Sequence, residues 1–394
     1  MLAFCNCWIR VPLVAVSVWL PDLRNVSMQK AFTDLELLHE LEPVVEENVH
    51  RHLGVTKDWN PHDYVPWSEG KNYKALGGQD WDPEQSKLSE LAKVAMITNL
   101  LTEDNLPSYH REIAMNFTMD GPWGTWVNRW TAEENRHGIA IRDYLVVTRS
   151  VDPVETMDGP WGTWVNRWTA EENRHGIAIR DYLVVTRSVD PVELEKLRIA
   201  QMTSGFSPGQ NRQNVPFSEG LFDSVVYVTF QELATRVSHR NTGKACNEPI
   251  ADELLKRIST DENLHMIFYR NMVTAGLEIA PNQAVQAVHK VLDNFTMPGY
   301  TIPGFRRNAV TIATGGVYDP QSHLEEVVLP VLRKWRIFDR DDITGEGEWY
   351  REDLARIVGD LRKTSEDFEE VKAKYLDRQA KRAERNAAKV LVSR

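Results

Sequence analysis

Glutamate and histidine recur in this chain at positions where a helix would bury them. Glu103 stands seven residues after Met96 and three after Leu100, so it continues the stripe made by Leu88, Leu91, Ala92, Ala95, Met96 and Leu100. A carboxylate on that face is costly to bury unless a cation or a donor meets it. On a second predicted helix Trp126, Val127 and Trp130 mark the inner face, and Glu134, His137 and Ile141 continue it. Glu134 and His137 are spaced i,i+3 and point the same way. Val225 and Val228 lead to Glu232, and Leu255 and Ile258 lead to Glu262 and His265, a second i,i+3 pair. One Glu-x-x-His is commonly a surface pair. Two of them, with two further inward glutamates in this order, put four carboxylates and two imidazoles around one core, a donor set that suits two iron or manganese ions.

Long helices must position these groups. The periodicity predicts helices over about 33–53, 86–116, 125–151, 217–240 and 249–277, with a loop rich in Trp, Pro, Gly and Asp over 54–86. Pro107, four residues after Glu103, removes the amide that would bond its carbonyl and predicts a kink there. No alternating run bounded by turn residues reads as a strand. After Pro298 come a helix over Pro320–Trp335, a glycine-containing loop at 344–347 and a charged terminal helix. The class is all-α, a helical bundle with additional helices. The expected organisation is an N-terminal extension over 1–27, the bundle over 28–300, a C-terminal helical region over 301–371 and a basic tail over 372–394.

The helix bearing Glu134 and His137 is present twice. Residues 118–155 and 156–193 are identical, so the second copy offers Glu172 and His175 with the same inward face. The 11 residues from Asp152 to Gly162 span at most about 36–40 Å. The helix itself is roughly 40 Å long. A helical hairpin is therefore expected, with one copy displaced. Copy one keeps the short link from the Glu103 helix, and the long link to the Glu232 helix can absorb an insertion. This favours copy one at the metals.

Composition bounds the function. At 394 residues, 42% hydrophobic and 26% charged, the chain is of soluble globular type. A net charge of −11 argues against a nucleic-acid partner. From Lys372 to Arg394, eight Lys/Arg stand against Asp377 and Glu384. This strip reads either as a solvated helical tail or as a docking strip for an acidic partner. Three cysteines make no disulfide framework and fit a reducing cytoplasm. Val11 to Leu20 is an apolar run of ten, short of the roughly 20 residues a membrane span needs. It reads as signal-like, or as sequence ahead of a start at Met28.

WTAEENRHG, the segment containing LTEDNLPSYH, TFQELATRVSHRNTG and the DENLH segment resemble the soluble acyl-carrier-protein desaturases, actinobacterial members above all. The likeness runs from about Thr33 to Glu346 and includes KDWNPHDYVPW. It implies a ferritin-like bundle holding two Fe ions, Fe2+ in the reduced state. It implies an enzyme that uses dioxygen and two electrons to place a cis double bond in a fatty acyl chain. The chain would be a thioester on acyl carrier protein, in fatty acid biosynthesis, mycolic acid precursors included. A ferredoxin-type donor, a homodimer and a cytoplasmic setting without a transmembrane segment belong to the same expectation.

Carried over by motif, the iron ligands would be Glu103, Glu134, His137, Glu232, Glu262 and His265, with Glu172 and His175 as the alternative pair. Thr235 matches a threonine beside the oxygen site, or is a plain helix-face hydroxyl. Asp261 and Trp59 match an electron path; Asp261 could also back a ligand histidine, and Trp59 could be a packed loop anchor. Three other readings stand beside this one: an iron-storage protein of ferritin type, a di-iron oxygenase acting on another carrier-bound substrate, and a duplicate inactivated by its repeated ligand helix.

Overall fold

The computed structural model describes residues 31–55, much of 57–103, 160–204, 220–296, 302 and 304–392. Among these residues the regular structure is helical, with no strand. The helices are α1 Asp34–Val55, α2 Glu90–Glu103, α3 Pro160–Val185, α4 Pro191–Ser204, α5 Leu221–Cys246, α6 Pro249–Ile279, α7 Pro281–Asp293 and α8 Phe305–Thr314. A run here called α9 starts at Pro320–Ser322, widens to a π turn over His323–Val328 and finishes as Leu329–Trp335, and α10 covers Glu346–Val392. Helices appear where the sequence predicts them over 33–53, 217–240, 249–277 and 320–335 and at the C-terminus, and the one predicted over 86–116 is seen from Glu90 to Glu103, while α4, α7 and α8 are additions. The Pro107 kink and the copy-one helix lie outside the described residues.

Local chemistry sets the helix ends. Thr33 and Glu36 form a capping box at α1: the Thr33 hydroxyl accepts from the Glu36 amide at 3.2 Å, and the Glu36 carboxylate accepts from the Thr33 amide at 2.8 Å. Between α5 and α6 the chain reverses in two residues. Asn247 takes the left-handed conformation (φ 48°), and Glu248 caps α6 by accepting from the Ile250 and Ala251 amides, with Pro249 in the first turn. So short a link forces α5 and α6 into antiparallel contact.

At the end of α3, Arg187 is left-handed (φ 55°), and the Ser188 amide donates back to the Leu183 carbonyl. The Arg187 guanidinium then donates to the carbonyls of Gln79, Lys71 and Asn72 and to the Gln85 side chain, all within 3.1 Å. One arginine therefore clamps the long loop expected over 54–86 onto the bundle.

The helices α2, α3, α6 and α5 close a ring in that order, and α1 lies across α3 and α6. Two apolar clusters fill the interior. One joins α2, α3 and the start of α6 through Leu88, Met96, Ile179, Leu254 and Ile258. The other joins α1, α5, the second half of α6, α7, α9 and α10 through Leu41, Phe230, Met272, Val288, Trp335 and Leu354. It runs without interruption from the bundle helices into residues beyond 300. The α10 helix carries on through residue 371 into the basic strip. On α6 the clusters are separated by one polar layer, Asp261, Glu262 and His265, all buried.

Candidate metal centre

The polar layer of α6 meets polar groups from the facing helices. Glu232, in the middle of α5, Glu262 and His265 each offer a donor atom within 4.8 Å of the others, and all three are buried. His265 Nδ1 is 3.3 Å from Glu262 Oε2 and 3.4 Å from Glu232 Oε2. His175 of α3 points its own Nδ1 at the other Glu262 oxygen, at 3.3 Å. Both imidazoles thus turn Nδ1 toward the shared carboxylate.

Each histidine has a carboxylate behind it. His175 Nε2 lies 3.4 Å from Asp261 Oδ2, and that oxygen also accepts from the Trp59 indole N–H at 2.7 Å. The Arg257 guanidinium donates to the other oxygen of Asp261. The Trp59 ring stacks over His175 at 6.1 Å, and the Arg174 guanidinium lies over that indole at 5.3 Å. On the opposite side His265 Nε2 lies 2.5 Å from Glu171 Oε2, and His52 Nε2 from α1 lies 3.3 Å from Glu171 Oε1. Burial alone would push the Glu171 carboxyl up. Hydrogen bonds and charge from His265 and His52 outweigh it and hold the group far below the usual carboxylate range.

A buried set of carboxylates and imidazoles, each imidazole oriented by a carboxylate behind it, fits a metal centre. The donors are hard and anionic, with one histidine per side, so iron or manganese matches better than a thiolate-seeking metal.

Of the residues singled out in the sequence, Glu232, Glu262, His265 and His175 come together, with Asp261 and Trp59 directly behind them. Thr235 is buried one turn after Glu232, and its hydroxyl donates to backbone carbonyls of its own helix, Glu232 at 3.0 Å and Gln231 at 3.2 Å. Glu103 ends α2, the helix that packs on α3 and α5. Glu172 sits on α3, one residue past the buried Glu171. Glu134 and His137 lie outside the described residues. The chain geometry favoured copy one for this place; the described helix packed against α2 and α6 is copy two.

Four further residues were not singled out in the sequence. Glu171 precedes the second Glu-x-x-His as Asp261 precedes the third, so the motif is acidic-Glu-x-x-His in both helices. His52 continues the inner stripe Leu41, Val45, Val49 of α1. His239, seven residues after Glu232, accepts at Nδ1 from the Asn99 amide at 3.1 Å and places Nε2 3.7 Å from Glu262. Asn99 lies one turn before Glu103 and also accepts from Ser238. Helical spacing from Glu232 and Glu103 is the signal that could have found them, but their pairing needs α2 and α5 side by side.

A family model described as fatty acid desaturase matches residues 33–157 and 152–386, so each match takes in one copy of the repeat. The chain is 58% identical over 361 residues to the Mycobacterium tuberculosis protein named as the acyl-carrier-protein desaturase DesA1, which covers 92% of this chain and 96% of that one. It is 25% identical over 368 residues to the chloroplastic stearoyl-acyl-carrier-protein 9-desaturase of Simmondsia chinensis, covering 87% of this chain and 80% of that one. The X-ray structure of the Mycobacterium tuberculosis protein named as the acyl-ACP desaturase DesA2 superposes with a TM-score of 0.56 at 29% identity, over 76% of this chain and 94% of the other. The chain belongs to the fatty acid desaturase family whose members act on acyl chains carried by acyl carrier protein.

Proposed function

We propose that desaturation by this chain runs at a pair of iron ions held by Glu103, Glu172, His175, Glu232, Glu262 and His265, with copy two of the repeat supplying the α3 ligands. The observation that carries the reading is the single buried layer in which Glu232, Glu262 and His265 lie within 4.8 Å and His175 reaches Glu262 at 3.3 Å. The iron pair, with dioxygen and two electrons, supplies the oxidising power that an unactivated methylene requires. The protein contributes the rest. Glu262 faces both imidazoles and would help to hold the iron pair together with them. Asp261 and Glu171 accept from the outer imidazole nitrogens, which fixes the tautomer that presents Nδ1 inward. The Trp59–Asp261–His175 chain is continuous from the loop to the centre and is the route assigned to electrons from a ferredoxin-type donor. Apolar packing on both sides of the layer keeps water from the reacting carbon. The substrate is a fatty acyl thioester on acyl carrier protein, the product its cis-alkene, and the enzyme acts as a homodimer in the cytoplasm.

Removing either copy leaves the same polypeptide, so deletion cannot tell the copies apart. Point variants can. Purified His175→Ala is expected to hold less than half of the wild-type iron, and His137→Ala to hold all of it. Equal partial losses in both would mean that the copies exchange places. Full iron in His175→Ala with loss in His137→Ala would move the site to copy one. No iron in wild type would remove the di-iron reading. Gas chromatography of products from acyl carrier proteins loaded with several chain lengths tests the reaction itself. Oxygen uptake without an alkene product would favour another carrier-bound substrate.

A further inference from the structure

The metal layer has two halves that mirror each other, and only one outer partner has a role so far. Both motif helices carry an acidic residue directly before the Glu-x-x-His: Glu171 on α3 and Asp261 on α6. The two carboxylates work crosswise. Asp261 of α6 stands behind His175 of α3, and Glu171 of α3 stands behind His265 of α6. Each is itself held by a donor from outside the four-helix ring. For Asp261 that donor is the Trp59 N–H at 2.7 Å; for Glu171 it is His52 Nε2 at 3.3 Å.

We propose that His52 is a positioning residue for the second metal: it orients the Glu171 carboxylate, which in turn holds His265 with Nδ1 facing the site. The inference rests on the metal centre proposed above. Three observations support it. His52 is 1% exposed although α1 contributes no ligand, and an imidazole is an unusual residue to bury in an apolar stripe of Leu41, Val45 and Val49. Its ring lies over His265 at 5.9 Å, so it limits that ring's tilt as well as its tautomer. Glu171, fully buried, has one oxygen toward each histidine, and loss of His52 removes the 3.3 Å donor to Oε1 and leaves the Arg174 guanidinium beside it at 3.7 Å, outside hydrogen-bond reach. With His265 Nδ1 taken by metal, its Nε2 carries the proton and donates to Glu171. The same carboxylate is then free to accept from His52.

The test is cobalt(II) titration of the metal-stripped full chain, followed by visible absorption, with thermal unfolding of each apo protein beside it. His52→Leu keeps the volume and removes the donor. His52→Gln returns an amide N–H near the place of Nε2, and His52→Asn is as polar but one methylene short. We expect one of two cobalt equivalents to weaken 10–100-fold in His52→Leu and in His52→Asn, as loss of a partner behind a metal ligand commonly does. We expect His52→Gln to return to within about threefold of wild type, since an N–H at the same place restores the oriented carboxylate. If Leu fails to fold, the contrast between Gln and Asn decides. Wild-type binding with all three variants unchanged, or with Gln as weak as Leu, overturns the inference while the metal centre stands. Wild type that binds no cobalt overturns the metal centre, and this inference with it.

Discussion

The centre is assembled from residues whose burial would be destabilising one at a time. Glu232, Glu262 and His265 are each at most 1% exposed, and an isolated carboxylate in such a place would give up its charge. Grouped, they offer a cation the negative charge it needs. Cys246, at the end of α5, shows the opposite chemistry. Burial, with Glu248 and Asp252 nearby, pushes its thiol up to about 12, so the reactive thiolate is nearly absent at neutral pH. Iodoacetamide at pH 8 is therefore expected to leave Cys246 unmodified in the native protein and to label it in urea. Peptide mass spectrometry reads the difference, and native labelling would show that the α5–α6 turn opens.

Among the elements, α3 does the most: it brings His175 and Glu171 to the layer and ends in the Arg187 clamp. Arg187 is buried and its guanidinium makes four bonds to the loop. Net of water, a hydrogen bond involving a charged group contributes about 1.5–3 kcal/mol, and bonds made through one guanidinium do not simply add. We expect Arg187→Ala to cost about 2–4 kcal/mol in urea unfolding and to expose the loop over 56–86 to protease. Arg149 is the same residue of copy one; Arg149→Ala should stay within about 0.5 kcal/mol of wild type. Equal losses in the two variants would show that both copies visit the bundle. The clamp also joins function to fold, since Trp59, the partner of Asp261, belongs to the same long loop.

For the whole molecule, the core that includes α9 and α10 adds a pH dependence of its own. His323, in the π turn, stacks on Phe295 at 5.1 Å and accepts at Nδ1 from the Tyr318 hydroxyl at 2.9 Å. Burial pushes its pKa down from 6.5 to about 4. In the unfolded chain this histidine takes a proton near pH 6.5, while in the folded protein it stays neutral until about 4. The folded state therefore loses stability as pH falls across that interval, and gains none from this group above it. The melting temperature should drop from pH 6.5 to 4.5 more steeply in wild type than in His323→Gln; equal slopes would assign the drop to other groups. Among the described residues no helix is long and apolar enough to cross a membrane.

That Glu232, Glu262 and His265 face one buried layer was legible in the sequence, because helical periodicity is a local property. Glu232, Glu262 and His265 could be placed on inner faces from their spacing to Val228, Leu255 and Ile258 alone, and α5 and α6 appear where those spacings run. The crosswise pairing of Glu171 with His265 was not legible. Nor were the approach of His52 from α1 and the Asn99–His239 bond. Each joins residues far apart in the chain whose local patterns carry no mark of the partner.

The repeat marks the boundary between the two kinds of information. Its copies have identical sequences, so propensity, amphipathicity and donor set are the same for both. The difference lies in the connections. Seating copy two leaves a 56-residue link from Glu103 to Pro160. Without the insertion this link would be 18 residues long, and closing the longer one costs only about 1 kcal/mol more. It preserves the tight passage from α3 through Arg187 and Ser188 into α4, which Asp190 caps by accepting from the Val192 amide. The sequence by itself determined which carboxylates and imidazoles fall on inner helix faces, since that follows from residue type and helical period. The choice of the helix that presents them was made by tertiary structure, where loop entropy and the packing of the next element outweigh a local preference that is equal for both copies.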